Sequence, residues 1–206
     1  MQRFILQQNI LRYQALLARE TDEATRRTIA GLLIEAERQW AMSCSAQAGV
    51  DTPGTNLHAT RFSLAAHQYL AHFKDHMAGS GKLYLLLDPG PGLPIMDASD
   101  AYAAATMTDR GALCGRHLFE VFPDNPTDPA ADGVANLYAS LRTAAETRRP
   151  HEMPVQRYDI RDGDGRFVER HWRPVNAPVV DDDGALIALL HHVEDVTANV
   201  RPKARG

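Results

Sequence analysis

The feature that most constrains this chain is a pair of acidic turns in its last third. Asp162–Gly165 is an Asp-Gly-Asp-Gly segment, and Asp181–Gly184 is three aspartates followed by glycine. Asp-Gly pairs tolerate the positive φ angles that tight β-hairpin turns require. Around the two turns lie three apolar or alternating stretches, approximately Glu152–Arg161, Arg166–Pro178 and Ala185–Asp195. We therefore predict three strands joined by two antiparallel hairpins.

Two further strands come before a mainly helical stretch. Lys82–Asp88 and Leu93–Ser99 are short, largely apolar runs separated by Pro and Gly, which is typical of buried strands. Helices are predicted for Asp100 to about Thr106 and for Ala130 to about Arg148, and prolines interrupt residues 107–129. Two strands, then helices, then three strands predict an α+β domain: a five-stranded antiparallel sheet with its helices on one face.

The first part of the chain has the pattern of a helical hairpin. Apolar residues recur every three or four positions within residues 2–19 and again between Asp22 and Ser43, and the short connection turns the second helix back on the first. Small, polar and Gly/Pro-rich residues follow, and a third helix is predicted from Phe62 to about Met77. The chain divides into a hairpin over 1–43, a linker over 44–61, a domain over 62–197 that includes its flanking helix, and a tail over 198–206.

Three apolar residues of the hairpin, Leu11, Leu16 and Ile34, lie off the seam between its two helices. Such residues need another apolar partner. One interpretation is that the hairpin dimerises into a helical bundle. The other is that it packs on its own domain, and the sequence does not distinguish the two.

Composition and charge narrow the classes of function. The chain has 206 residues and a formal net charge of -4, whereas general nucleic-acid binders usually carry a basic surplus. No apolar run is long enough to span a bilayer, and the first residues lack the pattern of an export signal. The two cysteines have no paired spacing. We expect a cytoplasmic protein that binds neither nucleic acid nor membranes.

The order of elements and several sequence words resemble the PAS sensor domain. The words lie between about Leu83 and Thr197: YLLLD followed by PIMDASDAY, GRHLFEVFPDNP, FVERHWRPVNAPVVDDDG and the closing HHVEDVT. The likeness is to PAS domains of bacterial signalling proteins, and the hairpin is similar to one that accompanies such domains. The resemblance implies a curved sheet and a helical layer that enclose a small cavity.

The resemblance also implies a function. It predicts a non-catalytic sensory module of the two-component type, which binds a small molecule or a partner and works as a homodimer through its N-terminal helices. Asp195 and Thr197 in the closing motif would tie the last strand to whatever follows. Because nine residues follow Thr197, we expect either a fragment that lacks its output domain or a module that binds a downstream partner.

An apolar cavity with a few polar anchors is the ordinary form of a small-molecule site. The candidate ligand-binding residues are Tyr102, Phe119, Phe122, Tyr138, Leu141, Arg157, Tyr158, Trp172 and His191. The alternative for the apolar members is that they simply fill the core. Arg157 and Arg173 either clamp a ligand carboxylate together or pair with Asp159 or Glu169 on the exposed face.

The sequence does not identify a cofactor. Some relatives carry haem, and only His117 is placed as an axial ligand, with a local structural role as its alternative. The light-sensing relatives form a flavin adduct through a cysteine in a word like GRNCRFLQ, where this chain has Leu118, so we exclude that chemistry. His72 and His76 have the i, i+4 spacing of zinc ligands but lack a third partner, and we predict no metal site.

The preferred hypothesis is the sensory module, and the alternative is a ligand-free interaction and dimerisation module with a filled core. A haem-binding sensor is less favoured, because a local structural role is preferred for His117. A small enzyme with His191 as its base is also less favoured, because no catalytic motif is present.

Overall fold

A computed structural model describes residues 2–46 and 63–200, so most of the predicted linker and the end of the predicted tail lie outside the described residues. The helices are α1 (Gln2–Leu17), α2 (Glu23–Ala46), α3 (Leu64–His76), α4 (Asp100–Ala105), α5 (Arg110–Leu113), α6 (Leu118–Val121), α7 (Gly133–Thr147) and α8 (Thr197–Val200). The strands are β1 (Leu83–Leu87), β2 (Ile95–Ala98), β3 (His151–Glu152), β4 (Gln156–Arg157), β5 (Ile160–Arg161), β6 (Phe167–Val168), β7 (His171–Val180) and β8 (Leu186–Asp195). The short helices α5 and α6 lie in the stretch that was predicted to be irregular.

The main sheet is antiparallel throughout, in the order β2-β1-β8-β7-β3, with β4 also paired to β7. Since β3 and β4 share one edge of β7, the sheet is five strands wide, which confirms the predicted α+β architecture. The ten-residue strands β7 and β8 form its centre. Gly165 and Gly184 have φ angles of +80° and +79°, as the predicted hairpin turns require.

The predicted strand Glu152–Arg161 is broken into the three two-residue strands β3, β4 and β5. Pro154 lies between β3 and β4 and has no backbone N–H to donate to the ladder, which interrupts pairing. Beyond β4 the chain leaves the main sheet, and β5 pairs with β6 in a separate two-stranded sheet. The expectation of one continuous third strand was therefore wrong.

Alternate residues of the strands face two layers of helix. Leu85 and Leu87 join the larger core, to which α4, α5, α6 and α7 contribute, whereas Leu86 between them joins a smaller cluster with Phe73 of α3. The helices between β2 and β3 thus cover one face of the sheet, as predicted. The flanking helix α3 covers the opposite face.

The N-terminal hairpin packs on its own domain. Leu6 of α1 and Trp40 of α2 are buried in the larger core. The Trp40 ring meets His117 edge-on, with ring centroids 4.7 Å apart, and covers Gly92. A Cβ at Gly92 would lie 1.7 Å from the Trp40 ring, so this contact requires glycine.

Candidate functional site

A small cavity of about 40 Å³ lies inside the domain, between the sheet and the helices α4, α6 and α7. Its lining residues are Tyr102, Thr106, Leu118, Phe122, Gly133, Leu137, Met153, Gln156, Tyr158, Ile160, Trp172, Pro174, His191 and Val193. Apart from His191, none of these side chains ionises near neutral pH. The cavity is therefore an apolar space with a few polar groups.

Tyr102 is positioned by the start of α4. Ser99 caps this helix by accepting a hydrogen bond from the Tyr102 backbone N–H at 3.1 Å. The same hydroxyl accepts from the Tyr84 N–H at 3.0 Å and donates to the Lys82 carbonyl at 2.6 Å. Because one serine joins α4 to β1, the Tyr102 ring is fixed against the sheet. Burial raises the pKa of the Tyr102 phenol, which therefore stays protonated.

His191 lies on the central strand β8, where only 4% of the residue is exposed. Its Nδ1 lies 2.7 Å from Oδ1 of Asn176 on the neighbouring strand. Burial lowers the pKa of His191 to about 3, so the imidazole is neutral at physiological pH. The ring of Tyr102 meets it at a near-perpendicular angle, with centroids 6.1 Å apart.

A chain of hydrogen bonds leads from His191 away from the cavity. Asn176 Nδ2 donates to the Ser140 hydroxyl at 2.7 Å, and that hydroxyl lies 2.7 Å from Nδ1 of His151. Asn176 and Ser140 are buried, whereas His151 is partly exposed on β3. This relay joins β8, β7, α7 and β3, and it fixes the orientation of the His191 ring.

Trp172 and Tyr158 close the opposite wall of the cavity. Trp172 Nε1 donates to the Tyr158 carbonyl at 2.9 Å, and the Tyr158 hydroxyl donates to the Phe122 carbonyl at 2.5 Å. The Tyr158 ring also lies against Gly133, where a Cβ would be 2.4 Å away. The polar atoms of both side chains are satisfied by backbone carbonyls, so these residues form the wall and leave no free donor.

Five of the nine predicted ligand-binding residues line this cavity. They are Tyr102, Phe122, Tyr158, Trp172 and His191. Phe119 is buried nearby in the core, with its ring centroid 6.5 Å from that of Tyr138. Tyr138 and Leu141 line a different, wider groove between α2 and α7.

Arg157 is exposed and does not line the cavity. Its guanidinium makes two 3.0 Å contacts with the carboxylate of Asp159, and a third nitrogen lies 3.0 Å from Asp128. Its neighbour in the proposed clamp, Arg173, pairs with Glu194 instead. Of the two interpretations of Arg157, the structure supports the ion pair at the surface.

The lining residues that sequence reasoning missed fall into two groups. Pro174 and Val193 follow Trp172 and His191 by two positions, so the period of a strand places them on the same face. That signal was available in the sequence. Met153 and Gly133 enter the lining through the broken strand and the start of α7, and no local pattern marks them.

The predicted signal-transfer residues lie at the end of β8. Thr197 accepts a hydrogen bond from the His171 N–H through its hydroxyl at 2.9 Å, and its own N–H donates to Asp195 at 2.9 Å. Asp195 also lies 3.6 Å from the Arg170 guanidinium. These bonds fasten the junction between β8 and α8 to the start of β7.

The groove between the hairpin and the domain has a volume of about 390 Å³. Arg142 of α7 crosses it and donates to Glu37 of α2 at 3.0 Å, while its other nitrogen lies 2.7 Å from Glu146. Burial raises the pKa of Glu37, although Arg142 acts in the opposite direction. This ion pair is a polar contact between hairpin and domain.

The other candidate residues lie outside the cavity. His117 contacts Trp40 at the hairpin and does not line the cavity, so it is not positioned to ligate a haem there. His72 and His76 stack on α3 with centroids 4.5 Å apart. Within residues 2–46 and 63–200, no three histidine, cysteine or acidic residues are grouped so as to hold a metal ion. None of the described helices has the length and apolarity to cross a membrane.

The sheet order and the helices over a small cavity agree with one family of sensor domains. A family model described as "PAS fold" matches residues 85–201, which is more than half of the chain. The chain therefore belongs to the PAS-fold family, which confirms the resemblance drawn from the sequence.

Several solved structures are similar, at low sequence identity. One, described as "Flavin Analogue Sheds Light on Light-Oxygen-Voltage Domain Mechanism", is 16% identical with a TM-score of 0.45, and the match covers 64% of this chain and 87% of that one. RsLOV D109G is 17% identical with a TM-score of 0.49, covering 69% and 72%. A PAS domain from Colwellia psychrerythraea is 12% identical with a TM-score of 0.46, covering 63% and 98%. A search of curated proteins gave no match.

Proposed function

We propose that this chain is a non-catalytic sensory module that binds a small molecule in its core cavity and passes the bound state to its N-terminal hairpin. The observation that carries the proposal is a pair of buried polar groups in the cavity, the imidazole of His191 and the hydroxyl of Tyr102. Burial of a polar group without a hydrogen bond costs free energy, and a ligand that completes the bond removes that cost. Membership of the PAS-fold family supports the sensory role.

Helices α6 and α7 connect the cavity to the hairpin. Leu137 of α7 lines the cavity, and Arg142 further along the same helix holds Glu37 of the hairpin. Leu118 of α6 also lines the cavity, and the residue before it packs on Trp40. A ligand that displaces either helix would change how the hairpin packs on the domain. A signal results only if the ligand binds the two arrangements unequally.

The proposed active form is a homodimer through α1 and α2. Apolar side chains remain exposed on the hairpin after it has packed on its domain. They are Ile5 (53%), Leu11 (49%), Leu16 (41%) and Leu32 (48%). A second copy of the hairpin would bury them in a helical bundle. At the other end, the junction held by Asp195 and Thr197 is the proposed attachment to a downstream domain or partner of a bacterial, cytoplasmic two-component pathway.

Thermal unfolding and native mass spectrometry of the full chain test ligand binding. A molecule that binds only the folded state raises Tm by mass action. We expect active molecules from a small-molecule library to raise the Tm of the wild type but not that of Leu137→Phe, which fills the cavity. Tyr69→Phe, on the opposite face of the sheet, is the control and should respond as the wild type does. A library that shifts no Tm, together with protein that co-purifies with no small molecule, would overturn the proposal.

A ligand-free interaction module is the second candidate, and the size of the cavity favours it. A volume of about 40 Å³ is far below the roughly 300–1,000 Å³ of ordinary ligand pockets. If the core is simply filled, Leu137→Phe leaves dimerisation and partner binding unchanged. Under the sensory proposal the same substitution holds the hairpin in one state.

A further inference from the structure

Two polar atoms in the core cavity have no hydrogen-bond partner among the described residues. Nδ1 of His191 is committed to Asn176, which leaves Nε2 as the ring nitrogen without a partner. The hydroxyl of Tyr102 likewise has no bonded protein group among these residues, although the residue is only 5% exposed. Both side chains line the same cavity, with ring centroids 6.1 Å apart. A small ligand can therefore reach both.

The relay behind His191 determines which of its nitrogens carries the proton. Asn176 Nδ2 lies 3.6 Å from the thioether sulfur of Met153, which can only accept, and 2.7 Å from Ser140 Oγ. The amide oxygen of Asn176 therefore faces His191 and accepts from Nδ1–H at 2.7 Å. In the neutral imidazole the proton is on Nδ1, and Nε2 presents a lone pair to the cavity.

The charge and size of the cavity limit the ligand further. Among its lining residues there is no acidic or basic side chain, and the histidine is neutral. An ionised ligand would be buried without a counter-charge, which is costly. One water molecule needs about 10–15 Å³ of cavity volume. The cavity of about 40 Å³ therefore holds a molecule of about three or four non-hydrogen atoms.

We propose that the cavity selects a small uncharged molecule through its hydroxyl group, which donates to Nε2 of His191 and accepts from the hydroxyl of Tyr102. This inference rests on the proposed function, because it names the ligand class of the same site. A hydroxyl is the simplest group that donates and accepts at once, so it satisfies both buried atoms. A ketone of the same size satisfies only Tyr102, and a carboxylate brings an unpaired charge.

Three probes of equal size separate these cases: isopropanol, acetone and acetate. The full chain, labelled with ¹⁵N-histidine, is titrated with each probe while the imidazole nitrogens are followed by NMR. We expect isopropanol to shift Nε2 of His191 and to leave the proton on Nδ1. Acetone should bind about tenfold more weakly, since it leaves Nε2 unpaired, and acetate should not bind.

Two substitutions test the partners separately. Tyr102→Phe removes only the hydroxyl and should weaken the binding of isopropanol about tenfold. The binding of acetone should weaken as well, because acetone loses its one hydrogen bond. Asn176→Leu removes the acceptor that holds the tautomer, and the Nδ1 signal of His191 should then report a mixture of tautomers with weaker isopropanol binding. Tyr69→Phe, outside the cavity, is the matched control. If Asn176→Leu does not fold, Tyr102→Phe alone decides the question.

The outcomes distinguish this inference from the function on which it rests. Equal binding of isopropanol and acetone, or a wild-type imidazole with its proton on Nε2, overturns the hydroxyl selection but leaves a ligand cavity. Failure of all three probes while a library molecule binds also overturns the ligand class alone. Failure of the probes and of the library overturns both.

Discussion

His191 is the residue on which the proposed site depends, and its surroundings keep it neutral. Burial at the centre of the sheet lowers the pKa of His191 from 6.5 to about 3, and the neighbouring His192 adds to this effect. Because the folded pKa lies below that of the unfolded chain, the unfolded state binds more protons in acid. The folded state therefore loses stability as pH falls from about 6.5 toward 3. Above that window the ionisation of His191 does not make the stability depend on pH.

The substitution His191→Gln tests this linkage. In the wild type, protonation of the unfolded chain at this position lowers the free energy of unfolding by up to about 1.4 kcal/mol per pH unit below pH 6.5. We expect urea unfolding at a series of pH values to show a shallower acid slope for His191→Gln. Tyr69→Phe, which removes no group that titrates in acid, is the control and should keep the wild-type slope. Equal slopes for wild type and His191→Gln would contradict the prediction.

Gly92 carries a second prediction at the residue scale. Its φ angle is +79°, and a Cβ there would collide with the Trp40 ring, whereas Gly184 has the same φ with nothing within 4 Å. We expect Gly184→Ala to cost about 1 kcal/mol of stability through backbone strain alone. Gly92→Ala should cost about 1–3 kcal/mol more through overpacking, as measured by urea unfolding.

A Trp40→Ala background provides the check on Gly92. Removing the indole removes the two closest collisions and leaves the approach of the Cβ to Nδ1 of His117 at 2.6 Å, so Gly92→Ala should cost less in this background than in the wild type. If Gly92→Ala costs the same with and without Trp40, the hairpin does not pack on this glycine.

At the scale of elements, α7 shows what a local pattern predicts and what it misses. The apolar spacing predicted a helix from Ala130 to Arg148, and the structure has one over Gly133–Thr147. The difference arises at the N-terminus, where the Val134 N–H donates to the side chain of Asp124 at 3.0 Å. That cap comes from a residue ten positions away, so local capping signals could not place the first turn.

The contact between α2 and α7 gives a prediction for this pair of elements. Glu37 and Arg142 join the hairpin to the domain in a partly buried ion pair at 3.0 Å. A double-mutant cycle with Glu37→Gln and Arg142→Met should give a coupling free energy of about 0.5–2 kcal/mol in urea unfolding. In these variants, amide hydrogen exchange should become faster in α1 and α2 than in the wild type before it becomes faster in the sheet.

The matched control is the ion pair of Glu23 and Arg27 within α2. Both side chains are 79% exposed, and such pairs contribute little. We expect no measurable coupling there. Equal coupling energies for the two pairs would mean that the Glu37 contact does not hold the hairpin.

At the scale of the whole molecule, the hairpin serves both the domain and the proposed dimer. One side of it is buried in the same core as the sheet, through residues such as Leu6 and Trp40. Its other side keeps Leu11 and Leu16 exposed. The two interpretations drawn from the sequence are therefore compatible, because they use different faces of the same helices.

Sedimentation of the full chain tests the dimer. We expect the wild type to sediment as a dimer and the double variant Leu11→Glu, Leu16→Glu to sediment as a monomer with unchanged circular dichroism, because buried charges oppose the interface. Leu64→Glu on α3, at an even more exposed leucine, should leave the dimer intact. A wild type that stays monomeric at high concentration would contradict the prediction.

The sequence by itself determined the longer helices, the first two and the last strands with their antiparallel turns, and the family, because these depend on local chemistry. Glycine supplies positive φ at the Asp-Gly turns, and apolar spacing distinguishes helix from strand within a few residues. The same patterns brought Tyr102, Trp172 and His191 into the list of candidate residues. They did not show which side each residue faces.

Only the tertiary structure decided which residues line the cavity, which face of the sheet α3 covers and where the hairpin packs on the domain. Tyr138 and Arg157 look as suitable as Tyr102 in the sequence, yet one faces the groove beside α2 and the other pairs with Asp159 at the surface. The choice follows from contacts between residues far apart in the chain, such as Trp40 with Gly92 and Asn176 with Ser140. Such packing is satisfied jointly by the whole core, so no single segment encodes it.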